Sequence, residues 1–232
     1  MSNVVRILQT DISTQLKESY KSLRTNLLFC GSDMKTIAFT SCEPNEGKST
    51  VTMNLSVSLA EAGKKVVFVD ADLRKSVIAG RYKITKGTKG LSHFLSGQHG
   101  IADVIHETNV PNFSIILAGP TPPNPAELLG SSLFTNMLAG LRKVYDYVIV
   151  DTPPLGSVID SALVAKQCDG GVLVVASGGV SYKFAQRTLS QLQKSTNVLG
   201  VVLNKVKIGK NSYYGRYYGK YYGEYYGEEN RE

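Results

Sequence analysis

The chain has 232 residues, 42% hydrophobic and 19% charged, enough for one large α/β domain with a sizeable core. Its 26 lysines and arginines against 19 acids leave a net charge of +7, which suits a phosphate-rich ligand, nucleic acid or an anionic membrane and selects none of them. No apolar run is long enough to span a bilayer and the N-terminus lacks a secretory apolar stretch; three scattered cysteines (Cys30, Cys42, Cys168) suit a reducing cytoplasm better than a disulfide framework.

In chain order, residues 1–34 read as a helical N-terminal arm. Within it Glu18, Lys21 and Arg24 recur every third residue, so their side chains share one helical face. That face is either a solvated charged surface or a contact surface. Residues 35–210 form the main domain. Apolar, β-branched runs at 35–41, 65–70, 113–118, 145–151, 170–176 and 197–205 predict six strands, several apolar almost throughout, as in parallel strands covered on both faces. Between the first two, residues 49–63 predict a helix with Leu55, Leu59 and Ala62 on one face and Gly63 as its stop. Strand–helix alternation of this kind predicts an α/β fold: a doubly wound, mostly parallel sheet flanked by helices. Ligands of such sheets bind at the carboxyl ends of the strands. Residues 211–232 form a low-complexity tail.

The chemistry-bearing motifs fall at those strand ends. After the first strand comes SCEPNEGKST (41–50), running directly into a helix. Gly47-Lys48-Ser49 closes a Walker A sequence, in which backbone amides from Asn45 through Thr50 cradle phosphates, lysine reaches β and γ oxygens, and serine meets Mg²⁺. Cys42 stands where the first glycine of that pattern belongs, so the strand–loop–helix context carries much of the assignment. We read Cys42 as a small residue tolerated in the loop rather than a redox sensor. The second strand ends in VDADLR (69–74), placing Asp70 and Asp72 past its carboxyl end; the fourth ends in Asp151-Thr-Pro-Pro, a hydrophobic run into aspartate of the Walker B kind. One aspartate at a strand end is commonly a cap. Three beside a P-loop point to an Mg·ATP site, since Mg²⁺ takes carboxylate oxygens next to a phosphate chain.

Elsewhere the sequence says less. Asn204, at the end of the last strand, is either an amide for the adenine ring or a turn residue. The basic run Arg81, Lys83, Lys86, Lys89 reads as a solvated face, with phosphates or membrane lipid as the alternatives. His93, His99 and His106 show no metal-ligand spacing.

GKS at 47–49, VFVDADLR at 67–74 and VIVDTPP at 148–154, together with GLSHFLSG (90–97), GPTPPNPAELL (119–129) and a tyrosine-rich C-terminus, resemble the bacterial tyrosine autokinases of the capsular and exopolysaccharide branch over nearly the whole chain. The resemblance implies an ATP- and Mg²⁺-dependent protein tyrosine kinase. It implies a cytoplasmic protein held at the inner face of the plasma membrane by a separate membrane-spanning activator of polysaccharide export. It also implies an octameric ring in which each subunit offers its tail to a neighbour, and a phosphotyrosine phosphatase that reverses the modification. Glu18, Lys21 and Arg24 resemble the family's oligomer motif, with lysine where a first arginine is usual, which keeps charge but loses the bidentate fork. The phenol's proton acceptor is Asp70 or Asp72; the resemblance favours Asp70 as base, with Ser49, Asp72 and Asp151 on the metal side and Lys48 on the transferring group. Lys48→Met is then expected to abolish transfer and leave the fold intact.

The rival reading is a partitioning or division-site ATPase, which shares the sheet and motifs but carries a second lysine early in the loop. Glu43 stands there, and a carboxylate cannot replace a lysine that reaches a partner's phosphate. Nucleic-acid binding is not expected: the tail has three cations against four acids, so it is no basic arm. Its eight tyrosines, Tyr213, Tyr214, Tyr217, Tyr218, Tyr221, Tyr222, Tyr225 and Tyr226, read as the phosphoacceptors, with a low-complexity adhesive as the alternative. A glycine in every turn costs roughly 1 kcal/mol each in a helix, and the segment's extended reach of roughly 75 Å would take it to a neighbouring subunit. Eight phosphates would add roughly −12 to −16 charges, expected to loosen the ring.

Overall fold

A computed structural model describes residues 4–7, 12–84 and 88–206. Their elements run α1 (Thr14–Leu28), β1 (Thr36–Ser41), α2 (Lys48–Glu61), β2 (Val66–Asp70), α3 (Ile78–Arg81), α4 (Leu91–Leu95), α5 (Ile101–Val104), β3 (His106–Glu107), β4 (Phe113–Ile116), α6 (Pro125–Leu129), α7 (Ser132–Val144), β5 (Tyr147–Asp151), α8 (Asp160–Ala165), β6 (Gly170–Ala176), α9 (Tyr182–Gln193) and β7 (Val198–Asn204). The seven strands form one sheet in the order β3-β4-β2-β5-β1-β6-β7, parallel throughout except for β3 against β4. All six expected strands are present. The seventh, β3, is two residues long, too short to show a period.

Side chains alternate across the sheet, and each face is covered. Ile37, Phe39, Val66, Phe68, Ile149 and Val174 pack on one side with Leu27, Leu55, Leu59 and Ile78 from α1, α2 and α3. Ala38, Val67, Val69, Val148, Val150 and Leu173 pack on the other with Phe134, Leu138, Val164 and Leu192 from α7, α8 and α9. This double cover is why the central strands are apolar at every position.

The N-terminal segment packs on the first of these faces. Arg24 Nη1 donates to the Ser58 carbonyl (2.8 Å) and hydroxyl (3.3 Å), and Tyr20 is buried with its hydroxyl accepting from Asn54 Nδ2. Helix α2 therefore lies between the sheet and α1, and it buries Thr52, Ser56 and Ser58 besides its apolar stripe. Ahead of α1, Val5 bridges to Thr108 beside β3, and Ile7 is buried in the same core.

The order of the strands positions the site. β1 lies between β5 and β6, and β2 lies beyond β5, so the carboxyl ends of β2, β5, β1 and β6 stand side by side. In register, Asp70 of β2 is opposite Asp151 of β5. Among the described residues no helix is long and apolar enough to cross a membrane.

Candidate active site

The chain leaves β1 at Ser41 and enters α2 at Lys48. The loop between them reverses through two left-handed residues, Asn45 (φ 66°) and Gly47 (φ 88°). Gly47 is the N-cap of α2 and offers no side-chain cap; the Thr50 amide bonds the Gly47 carbonyl (3.1 Å), and among the described residues the Lys48 and Ser49 amides are left to meet an anion at the positive end of the helix dipole. A Cβ on Gly47 would come within 2.2 Å of Asn204 Nδ2. Gly47→Ala is therefore expected to displace Asn204 and strain the turn, weakening nucleotide binding about tenfold in a fluorescent-ADP titration.

Lys48 is 6% exposed, and its Nζ donates to Asp151 Oδ1 at 2.7 Å and to Ser49 Oγ at 3.1 Å. Thr52 Oγ1 donates to the same Asp151 oxygen at 3.3 Å. The other oxygen, Asp151 Oδ2, is buried and finds no hydrogen-bond partner among the described residues. An orphaned hard carboxylate oxygen beside the Walker serine suits a divalent cation. Among the described residues no group of three or more His, Cys, Asp or Glu is placed to hold a metal by itself. Mg²⁺ does not require one, since it commonly takes one or two carboxylates together with phosphate oxygens and water.

Asp70 is fully buried, accepting from the Ser76 hydroxyl and from the Asp72 amide (3.2 Å). Burial pushes its carboxyl up to about 7, and the neighbouring Asp151 charge adds to the rise, against the lowering effects of the Ser76 hydrogen bond and the Lys48 charge. Asp72 is half-buried, and its Oδ1 accepts from the amides of Arg74 (3.3 Å) and Lys75 (3.0 Å), capping its own turn. That turn is fastened by a bidentate pair: Arg74 Nε and Nη2 donate to Asp160 Oδ2 (2.7 Å) and Oδ1 (3.0 Å) at the start of α8. The pair joins the loop after β2 to the first turn of α8.

Glu46 and Asn204 both turn toward the loop itself. The Glu46 carboxylate is buried, Oε2 accepting from the amides of Cys42 and Glu43 and Oε1 from that of Ala176. Asn204 Nδ2 donates to the Glu46 carbonyl at 2.8 Å, and Lys205 Nζ to the Asn45 carbonyl at 2.6 Å. Cys42 is buried, and burial pushes its thiol up, which makes it a poor nucleophile. Arg81 Nη1 donates to Thr50 Oγ1 at 2.5 Å, so one member of the basic run reaches the phosphate loop. Lys89 instead forms an exposed pair with Asp103, and Lys86 lies outside the described residues. In α1, Lys21 pairs with Glu18 at 2.6 Å, while Arg24 is spent on α2 as described above.

Sequence reasoning passed over Arg74, Asp160, Thr52 and Ser76. Arg74 ends the VDADLR segment, but nothing along the chain marks Asp160 as its partner. Among the described residues, Tyr20, Tyr82, Tyr145 and Tyr147 are buried and Tyr182 is 79% exposed. The eight tail tyrosines, Tyr213 to Tyr226, lie outside the described residues.

The chain matches the family model of the AAA domain over residues 34–207. It is 41% identical over 198 residues to the tyrosine-protein kinase CpsD of Streptococcus agalactiae, covering 85% of this chain and 86% of that protein. To the tyrosine-protein kinase YwqD of Bacillus subtilis (strain 168) it is 37% identical over 212 residues, covering 90% and 89%. The solved kinase domain of the Escherichia coli tyrosine kinase ETK shares the fold with a TM-score of 0.79 at 32% identity, over 85% of this chain and 78% of that one.

Proposed function

The chain belongs to the family of bacterial tyrosine-protein kinases that includes CpsD and YwqD, and from that premise we propose that it transfers phosphate from ATP to the tyrosine cluster of its own C-terminus, in trans between subunits. The observation that carries the choice of acceptor is the distribution of tyrosines. Four of those in the folded body are buried, and burial pushes Tyr82 up to about 12, which makes it harder to deprotonate. The tail holds eight more between glycines.

A tyrosine phenol with a reference pKa of ~10 must lose its proton as it attacks. Asp70 is the acceptor: a carboxyl that titrates near neutrality is a far better base toward a phenol than an ordinary aspartate, while still ionised in part at pH 7. Asn45 to Thr50 hold the phosphate chain through backbone amides, and Asn204 borders the adenine. Lys48 leaves Asp151 and moves onto the transferring phosphoryl group, whose loose transition state is accelerated mainly by positioning and charge. Ser49, Asp72 and Asp151 would hold Mg²⁺, which supplies charge neutralisation along the phosphate chain.

Around this reaction we place a ring-shaped, octameric assembly with Glu18, Lys21 and Arg24 near its contacts, a membrane-spanning activator that keeps the kinase at the inner face of the plasma membrane, and a phosphotyrosine phosphatase. The cycle would regulate capsular or exopolysaccharide synthesis and export, with accumulated phosphate loosening the ring.

The test is incubation with Mg·ATP, with and without the activator's cytoplasmic segment, followed by phosphotyrosine detection on the full chain and on a chain lacking 211–232. We expect deletion to remove essentially all label from the chain. Label persisting on the shortened chain would reject the tail as acceptor, and the same deletion carrying Tyr182→Phe would then identify the remaining site. No label on the full chain under either condition would favour the ATPase reading.

A further inference from the structure

We propose that Glu46 is a positioning residue for the kinase reaction: its buried carboxylate holds the phosphate loop in the shape that receives the triphosphate before any nucleotide arrives. A carboxylate inside a loop built for anions is unexpected, and its partners explain it. Glu46 is 3% exposed. Its Oε2 accepts from Cys42 N (2.6 Å) and Glu43 N (2.9 Å), where the chain leaves β1, and its Oε1 accepts from Ala176 N (3.0 Å) at the end of β6. Burying a carboxylate is costly unless it is bonded, and three charge-assisted bonds to backbone amides offset that cost. One side chain thus ties the base of the loop to the neighbouring strand.

The backbone on either side of it is held as firmly. The carbonyls of Asn45 and Glu46 accept from Lys205 Nζ and Asn204 Nδ2, both at the exit of β7. A trans peptide is planar with its C=O and N–H opposed. Fixing these two carbonyls toward β7 therefore aims the amides of Glu46 and Gly47 the other way, into the loop. Asn45 and Gly47, which flank Glu46, both have positive φ. A non-glycine residue stays in that region only where its surroundings over-determine it. The Glu46 carboxylate is the centre of that constraint, because it bonds both at the exit of β1 and at that of β6.

Two accounts of this carboxylate make opposite forecasts. As a mere negative charge near phosphate, its removal would tighten nucleotide binding. As a positioning group, its removal lets the loop sample other shapes, and apparent affinity falls by the fraction of time the binding shape is present. The inference rests on the nucleotide-site reading above, and the experiment separates the two. Glu46→Gln keeps the size but sets an NH₂ against a backbone donor, so one arm is lost. Glu46→Asp keeps the charge but is too short to reach both strands.

In the full chain we expect both variants to bind a fluorescent ADP at least about tenfold more weakly than wild type and to raise KM for ATP to match, with kcat at saturating ATP within about threefold. Glu61→Gln, at an exposed carboxylate at the far end of α2, should change neither. In the nucleotide-free wild-type protein the amide hydrogens of Cys42, Glu43 and Ala176 should exchange slowly. Tighter or unchanged binding in Glu46→Gln, wild-type binding in Glu46→Asp, or a lower melting temperature with unchanged affinity each overturns the proposal. So does fast exchange of the three amides, which needs no variant. Absence of ADP binding by the wild-type chain would instead sink the nucleotide-site reading, and this inference with it.

Discussion

Lys48→Met abolishes tyrosine phosphorylation, a fall of about 10³-fold or more, and also weakens the nucleotide-free fold. The first effect follows from charge. In the proposed mechanism Lys48 is the cation that moves onto the transferring phosphoryl group, and preorganised groups of this kind contribute about 10² to 10³ or more in rate. The second effect is what the structure adds to an expectation of an intact fold. Without nucleotide, Lys48 Nζ lies 2.7 Å from Asp151 Oδ1, and both side chains are buried. Removing one partner of a buried ion pair leaves the other charge uncompensated, at a cost of about 3 to 5 kcal/mol. The variant should therefore unfold at lower urea in EDTA and recover part of that loss when nucleotide is added. Pairing Lys48→Met with Asp151→Asn should restore most of the stability and none of the transfer, because the stranded charge is gone while the catalytic cation is still missing. Near wild-type labelling in the single variant would refute the role of Lys48. A single variant as stable as wild type would refute the buried latch.

The parts of this site that were legible in the sequence are those whose identity is dictated by position along one segment. Gly47, Lys48 and Ser49 are contiguous, and Asp70 and Asp151 each end an apolar run, so strand–loop–helix order suffices to bring them to one rim. The parts that were not legible depend on pairing between distant segments. Glu46 looks like one more residue of a phosphate loop until Ala176, 130 positions later, is seen to donate to it. Arg74 and Asp160 are separated by 86 positions, and only the side-by-side placement of β2 and β5 makes them a pair. Helix α2 reads as one-sided because its polar residues Thr52, Ser56 and Ser58 suit solvent. In the fold they are buried, Thr52 and Ser56 bonding helix carbonyls, Thr52 also Asp151, and Ser58 meeting Arg24 of α1. A two-residue strand such as β3 carries no period at all.

Asp70→Asn should lose transfer by about 10² to 10⁴-fold and yet make the metal-free protein more stable above neutral pH. The sign follows from proton binding. Burial first, and the Asp151 charge second, raise the Asp70 carboxyl from 3.8 to about 7 in the folded state. Below the unfolded value both states hold the proton, and the contribution of this group to stability is complete. As pH rises toward the folded value, unfolding releases a proton that the native state retains, so stability falls across that window and levels off once the native carboxyl has ionised. The whole drop is on the order of 4 kcal/mol. Asparagine carries no such proton, keeps an oxygen for the Asp72 amide and can still bond the Ser76 hydroxyl, so its stability should lack this slope. Urea unfolding in EDTA should give wild type and variant similar midpoints only below the unfolded value of 3.8, an advantage to the variant that grows from there to about pH 7, and a constant advantage by pH 8. A gap that stayed constant with pH, or that favoured wild type at pH 8, would show that Asp70 does not carry a raised titration in the native state. Retained tyrosine phosphorylation in the same variant would show that it is not the base. Together the two results would measure how much native stability is given up to keep a usable proton acceptor buried beside Lys48 and Asp151.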